Sequence, residues 1–308
     1  ALATTVGVGV MVDSFRGSLA SWLQTTLQAD VYVTVPGTRR AVIDEGIIER
    51  ITRLDGVNEL SMGRSVEVQS DSGAVEVIAI KMAADSYRGF RFVKGEVSRA
   101  WWGFDQAGQV LVTEPYAWHR AIGVGDDIEL QTEFGLRAFE VAGVVRDYGS
   151  EQGAVFMSRE TFERWWHERG SSTVGVYADL GIDVDRLVLD IERTASGIQD
   201  VYARSNRAIR EASMDVFERT FTITFVLQLL ATAIAFVGVL SALMAIQLER
   251  QREIAVLRAL GMTRCQVWNV IAAQTGLMGL LAGILCVPLG LTMAVMLTDV
   301  INRRSFGW

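Results

Sequence analysis

The side chains best suited to catalysis are few and badly spaced for it. His119 and His167 are the only histidines, too few for a three-histidine zinc site, and no His-Glu-x-x-His spacing occurs. Cys265 and Cys286 lie beside and within apolar stretches, so they spell out neither a metal cluster nor a disulfide in the polar part of the chain. Lys81 and Lys94 are the only lysines, and neither completes a Gly-x-x-x-x-Gly-Lys-Ser/Thr phosphate loop. Gly7-x-Gly9 and Gly123-x-Gly125 are isolated glycine pairs, expected to serve packing and a turn. Asp126, Asp127 and Glu133 make an acid group on paper, but their pattern puts them in a turn and on the wet face of a strand. No Gly-x-Ser-x-Gly elbow is present. The reading is of a chain that is not itself an enzyme, with no cofactor, no metal and no catalytic residue.

Docking is the chemistry the sequence favours, and it concentrates in residues 249–264. Arg252, Glu253, Ile254, Leu257, Arg258, Ala259, Leu260 and Gly261 fall in a helical stretch with Ile254, Leu257 and Leu260 on one side. Gly261 is a natural stop, and Thr263-Arg264-Cys265-Gln266 matches a capping box that would start the next helix. A hairpin turn that only met lipid headgroups would tolerate almost any charged sequence. Aliphatics interleaved with Arg252, Glu253 and Arg258 look instead like a surface for a partner.

Two long apolar segments flank this turn. The chain has 308 residues, 50% hydrophobic and 21% charged, with a mean hydropathy of +0.26. The two classes are segregated: no charge occurs in 221–248 or in 265–298, and each stretch exceeds the roughly 20 residues that cross a bilayer as a helix. The 16 residues between them carry four arginines and two glutamates, which places the turn in the cytoplasm by the positive-inside rule. Arg303 and Arg304, in the short turn 299–308, fall on the opposite side, two basic residues against four. Of the whole net charge of −7, the part before residue 249 contributes 23 basic and 33 acidic residues. So acidic a part, without a basic cluster, excludes nucleic acid as a partner.

Residues 1–12 are apolar and too short to span, and read as the end of a transmembrane helix whose start is missing; on this reading the sequence is a fragment. An amphipathic stalk helix, 13–28, continues from it with Phe15, Leu19 and Trp22 on its apolar stripe. A second stalk, 204–220, runs into the 221–248 span with Ile209, Val216 and Phe217 as the matching stripe. Between the stalks the pattern is α+β. Residues 29–94 and 169–203 form one part, with a strand at 30–35, a helix at 41–54, a hairpin through Ser70-Asp71-Ser72-Gly73 and a helix capped by Asp183. Residues 95–168 form an inserted β-rich part with short alternating strands. Phe90, Phe92, Trp101, Trp102, Phe104 and Trp118 cluster at its entry, most of them expected in the core. In the 265–298 span, Gly276, Gly279 and Gly283 allow close helix packing in lipid against a second subunit or half, and Pro288 marks a kink.

Arg252-Glu253-Ile254, then Leu257-Arg258-Ala259-Leu260-Gly261 and Thr263-Arg264, resemble the cytoplasmic loop of FtsX/MacB/LolCE-type ABC transporter permeases. The order of segments fits that family along the whole chain, and the terminal Asn302–Trp308 stretch resembles the second half of its large ten-helix members. The resemblance implies a porter-like α+β domain with a β-rich insertion outside the bacterial inner membrane, and a cytoplasmic ABC ATPase subunit gripping the loop. It implies a second permease subunit or half and membrane lipid as further partners, with a periplasmic protein as another candidate. The function implied is coupling of ATP hydrolysis to movement of the outer domain, for export or extraction of lipid, lipoprotein or other hydrophobic substrates. An FtsX-like scaffold that activates a periplasmic hydrolase is the alternative.

Overall fold

The computed structural model describes residues 2–37, 41–71, 73–147, 149–150 and 152–296. The expected turn at 299–308, with Arg303 and Arg304, lies outside the described residues, as does Ser72 of the hairpin. The chain divides into two compact units, one of 18–214 and one made from residues up to Gly17 and from Asp215 onward.

Helix α1 (Leu2–Thr26) leads to β1 (Val31–Thr34), α2 (Glu45–Thr52), β2 (Val57–Ser70) and β3 (Gly73–Lys81). A 3-10 turn (Ala84–Gly89) precedes β4 (Arg91–Lys94) and α3 (Val97–Trp102), which continues as a π turn (Gly103–Ala107). Next come β5 (Val110–Thr113), α4 (Glu114–Arg120), β6 (Asp127–Thr132), β7 (Gly135–Arg146), β8 (Ala154–Ser158) and α5 (Arg159–Trp165). Then follow β9 (Thr173–Ala178), α6 (Val184–Ala195), β10 (Tyr202–Ser205), α7 (Asn206–Glu249), α8 (Gln251–Ala259) and α9 (Arg264–Val295).

Ten strands join in one mixed sheet, ordered β10-β1-β9-β2-β3-β8-β5-β7-β4, with β6 paired to β7. The segments 29–94 and 169–203 and the insertion 95–168 therefore share the sheet: β8 of the insertion lies parallel to β3, pairing Ile78 with Phe156. Strand alternation gives each region its core. Val31, Val33, Leu60, Val174 and Val176 meet Ile47, Ile51, Leu187 and Ile191 of α2 and α6. Val66, Val68, Val75 and Val77 of β2 and β3 meet Leu130, Phe139, Met157 and Phe162 of residues 95–168. A third cluster holds Phe104, Leu111, Val145 and Phe156, with Phe90, Phe92 and Trp101 packed on it edge to face. Of the six aromatic residues noted in the sequence, Trp102 and Trp118 are the two that are exposed.

Two expected helices start later than their periodicity suggests. Ile43 is taken into a bridge with Ser171, so α2 begins only after Asp44, whose carboxylate accepts from the Gly46 N–H at 2.8 Å. Residues 202–205 alternate exposed and buried and pair antiparallel with β1, so the expected stalk at 204 begins as a strand and turns helical at Asn206. Asp183 caps α6 as the sequence indicates, and Ser158 caps α5.

Asn206 ties this junction together. Its side-chain amide donates to the carbonyls of Leu27 (2.7 Å) and Ala29 (3.0 Å), its backbone N–H donates to the Asp30 carbonyl (2.8 Å), and its side-chain oxygen accepts from Arg210. Asn206→Ala strips two carbonyls of their partner and is expected to destabilise the unit of residues 18–214 by about 1–3 kcal/mol, the cost of part-buried polar groups left unmet. Thermal melting of the full chain checks this; Arg16→Ala, which removes an exposed ion pair with Glu218, should move the midpoint far less.

Candidate functional site

Helix α7 is 44 residues long and carries apolar side chains on every side from Ile223 to Leu248. The most apolar window of α7 is 0% buried within the chain and that of α9 is 11% buried, which sets them apart from core helices of a soluble fold. These are the two helices among the described residues long and apolar enough to cross a bilayer. Within this unit, Gly7 of α1 comes so close to α9 that a Cβ there would sit 3.0 Å from the Gly290 carbonyl. Gln228 of α7 donates to the Thr5 carbonyl of α1 at 2.7 Å.

The stalk residues separate into two groups. Phe15 packs on Phe217 (5.6 Å between ring centres) and on Phe221 (6.4 Å), while Arg16 pairs with Glu218 beside them. Phe217 is buried; Val216, expected on the same stripe, is 65% exposed, because consecutive helical positions point about 100° apart. Leu19, Trp22 and Ile209 are half-buried. Phe221, which completes the aromatic contact, was read from the sequence only as the start of a span.

Between the two long helices, α8 is set off by two local devices. At its start, Arg250 alone departs from helical geometry (φ −89°, ψ 11°), yet its N–H still donates to Ile246 and its carbonyl accepts from Ile254. At its end, the Gly261 N–H reaches the Arg258 carbonyl and the Met262 N–H reaches the Leu257 carbonyl, with Gly261 at φ +96°. This is the Schellman arrangement that glycine favours because it lacks a Cβ. Thr263 and Gln266 then cap α9 reciprocally, side chain to backbone, at 3.4 and 2.9 Å.

The faces of α8 differ from the simplest reading of its sequence. Ile254 and Leu257, together with Arg250 and Glu253, border a cleft of about 170 Å³ whose other walls are Ile246 of α7 and Val267, Ile271 and Met278 of α9. Leu260 (78% exposed) and Val256 (58% exposed) point away, with Arg252, Arg258 and Ala259 also exposed. Val256 was missed in the sequence because the stripe of Ile254, Leu257 and Leu260 drew attention to the other side. Gly276 and Gly279 are exposed and Gly283 half-buried, and a Cβ at any of the three would meet nothing within 4 Å.

Residues 1–194 match the family model for the MacB-like periplasmic core domain, and residues 225–307 that for the FtsX-like permease C-terminal domain. The chain belongs to the FtsX-like ABC transporter permease family.

It is 36% identical over its whole length to an ABC transporter permease protein of Mycobacterium tuberculosis and 21% identical over 61% of its length to one of Methanocaldococcus jannaschii. It spans 37% of the first relative and 47% of the second. Among solved structures it is similar to the periplasmic region of MacB from Actinobacillus actinomycetemcomitans, at 12% identity and TM-score 0.46, over 62% of this chain and 95% of that one. It is also similar to the extracellular domain of the transporter YknZ from Gram-positive bacteria, at 10% identity and TM-score 0.40, over 57% and 100%. The expected α+β domain, matched by the model of the MacB-like periplasmic core domain and followed by two helices long and apolar enough to cross a membrane, is the architecture of this permease. No three His, Cys, Asp or Glu among the described residues converge as a metal site.

The capped turn can be weighed by substitution. Thr263→Ala removes the cap of α9 and should cost about 1 kcal/mol locally, read as faster amide exchange of residues 264–267, while exchange in the middle of α9 stays unchanged.

Proposed function

We propose that this chain is the membrane-spanning and periplasmic part of an ABC transporter of the bacterial inner membrane, driven by a separate cytoplasmic ATPase. The ATPase grips α8 through Val256, Leu260, Arg252 and Arg258, and ATP binding and hydrolysis displace that helix. The observation that carries this reading is the helix from Asn206 to Glu249, whose backbone hydrogen bonds continue through Arg250 into α8. An unbroken helix of 44 residues is about 66 Å long. It passes displacement along its axis instead of absorbing it, so movement of α8 becomes movement at Asn206, where α7 joins the sheet through β10. Nothing in this scheme needs a charged path through lipid, and both spans lack charge.

The inward pair Ile254 and Leu257 seats α8 on α7 and α9, while the outward pair Val256 and Leu260 supplies the apolar part of the docking surface. The open glycine face of α9 takes a second permease subunit or half, since small residues let helix backbones approach in lipid. The cargo is lipid, lipoprotein or another hydrophobic molecule.

Leu260→Asp, and separately Val256→Asp, should abolish stimulation of ATPase activity and co-purification of the ATPase from native membranes, with membrane insertion unchanged. Leu257→Asp should instead loosen α8 itself, seen as faster amide exchange across 251–259. Normal ATPase recovery and stimulation with Leu260→Asp would refute the docking assignment. Recovery of an ATPase with a periplasmic hydrolase and no lipid would point to a signalling scaffold in place of a transporter.

A further inference from the structure

The outer unit holds a cavity of about 560 Å³ on the sheet face that α2 and α6 leave uncovered. Strand alternation makes its floor. Val31, Val33, Val174 and Val176 point to the helices, so Tyr32, Thr34, Thr173 and Tyr177 face the cavity. The 3-10 turn and the chain at residues 26–28 wall one side, and the Ser86–Tyr177 hydroxyl contact at 2.6 Å ties the turn to β9.

The floor changes character from strand to strand. Thr34 lies opposite Thr173, Thr173 opposite Gly63, and Gly63 opposite Ile80. One passes from two hydroxyls to bare backbone to an aliphatic side chain across three strand spacings, about 14 Å. Beyond Gly63 the surface is apolar: Ile78 is paired with Phe156, and Phe90 stands edge-on to Phe156 at 5.3 Å. Neither Thr34 nor Thr173 has a side-chain hydrogen bond among the described residues. A Cβ on Gly63 would find no atom nearer than 3.9 Å, so the space above it is open.

The charges bordering the cavity balance and do not select an anionic ligand. Glu76, on the same strand face as Ile78 and Ile80, accepts a hydrogen bond from Ser65 at 2.5 Å. Asp147 is a second carboxylate at the rim, facing two cations, Lys81 and Arg146, the latter already paired with Glu114 at 3.3 Å. The lining thus carries two carboxylates against two cations and no excess of positive charge for a phosphate or sulfate, whereas hydroxyls and carboxylates suit a neutral polyol, donating to it and accepting from it. Burial drives the Tyr177 hydroxyl upward from its ordinary pKa and Tyr32 up to about 12, so both remain neutral.

We propose that this cavity binds an amphipathic molecule with an uncharged, hydroxyl-rich headgroup and an alkyl chain, a ligand of the glycolipid class. The headgroup lies over Thr34, Thr173 and Tyr177, and the alkyl chain over Ile78, Ile80, Phe90 and Phe156. Whether that ligand is cargo rests on the transport reading above; its binding does not.

The test uses the full chain in phosphatidylcholine nanodiscs and dodecyl maltoside carrying a photoactivatable diazirine in its alkyl chain. Mass spectrometry should find adducts on residues 78–90 and on Phe156, suppressed by unlabelled dodecyl maltoside but not by dodecyl sulfate. Gly63→Leu fills the floor and should cut these adducts about tenfold, while Gly63→Ala keeps them within about twofold, one order of magnitude being the scale of a single lost contact. Thr173→Val keeps shape and strand preference and should remove the advantage of maltoside over sulfate. Adducts confined to α7 and α9, equal suppression by dodecyl sulfate in the unaltered chain, or undiminished labelling of Gly63→Leu would each overturn the proposal. No ATPase takes part, so a failed docking test and a failed labelling test remain separate results.

Discussion

A chain crossing hydrocarbon must satisfy its backbone polar groups within the same segment, and α7 meets that demand over its whole length. What makes the ladder useful is how it is finished at each end. The first turn of any helix leaves N–H groups without partners, and here the chain enters directly from β10, with the Asn206 N–H taken by Asp30 and the Ser205 hydroxyl accepting from Ala208. At the other end no loop intervenes; Arg250 bends the path while the hydrogen bonds on both sides persist. In α9, Pro288 removes one donor from the ladder, the one that would meet the Ile284 carbonyl, while Thr292 donates its hydroxyl to the Pro288 carbonyl at 2.8 Å. The small residues Gly7 and Gly290 meet where α1 and α9 approach, which is where backbone proximity needs a missing side chain.

The features legible in the sequence were those encoded locally. Gly261 and the Thr263–Gln266 box lie within one turn of the helix ends they define, and the apolar runs of α7 and α9 need no knowledge of the rest of the chain. Asp183 announced its helix in the same way. Non-local features were misread or missed. Residues 202–205 look like the first turn of the stalk, and only β1 alongside makes them a strand; Ile43 looks helical until Ser171 bridges it. The parallel pairing of β3 with β8 joins residues nearly eighty positions apart, and no periodicity reveals it. Val256 went unnoticed because a stripe shows which residues share a side, not which side a neighbour will cover. The hydroxyl-to-aliphatic floor exists only when β1, β9, β2 and β3 are placed in that order.

Within the outer unit, the long hairpin of β2 and β3 has to serve two cores with one face. Leu60, Val66 and Val68 share that face by parity, yet Leu60 belongs with α2 and α6 while the valines belong with the insertion. Between them on the same face stands Arg64, 8% exposed and paired with Glu168 at 2.7 Å. Only the Arg64 end of the pair is buried, the Glu168 side chain being 50% exposed, and desolvating the guanidinium offsets most of the attraction. The pair's effect here is positional. An aliphatic residue at 64 would let the two cores merge along the strand, and a slip of one residue in β2 would swing Arg64 to the cavity face and bring Ser65 into the core. Either change carries a cost that the native register avoids, so a guanidinium in the middle of an apolar strand fixes where one core ends and the next begins. The opposite face of the hairpin inherits that register, which is how Gly63 and Ile80 come to lie side by side.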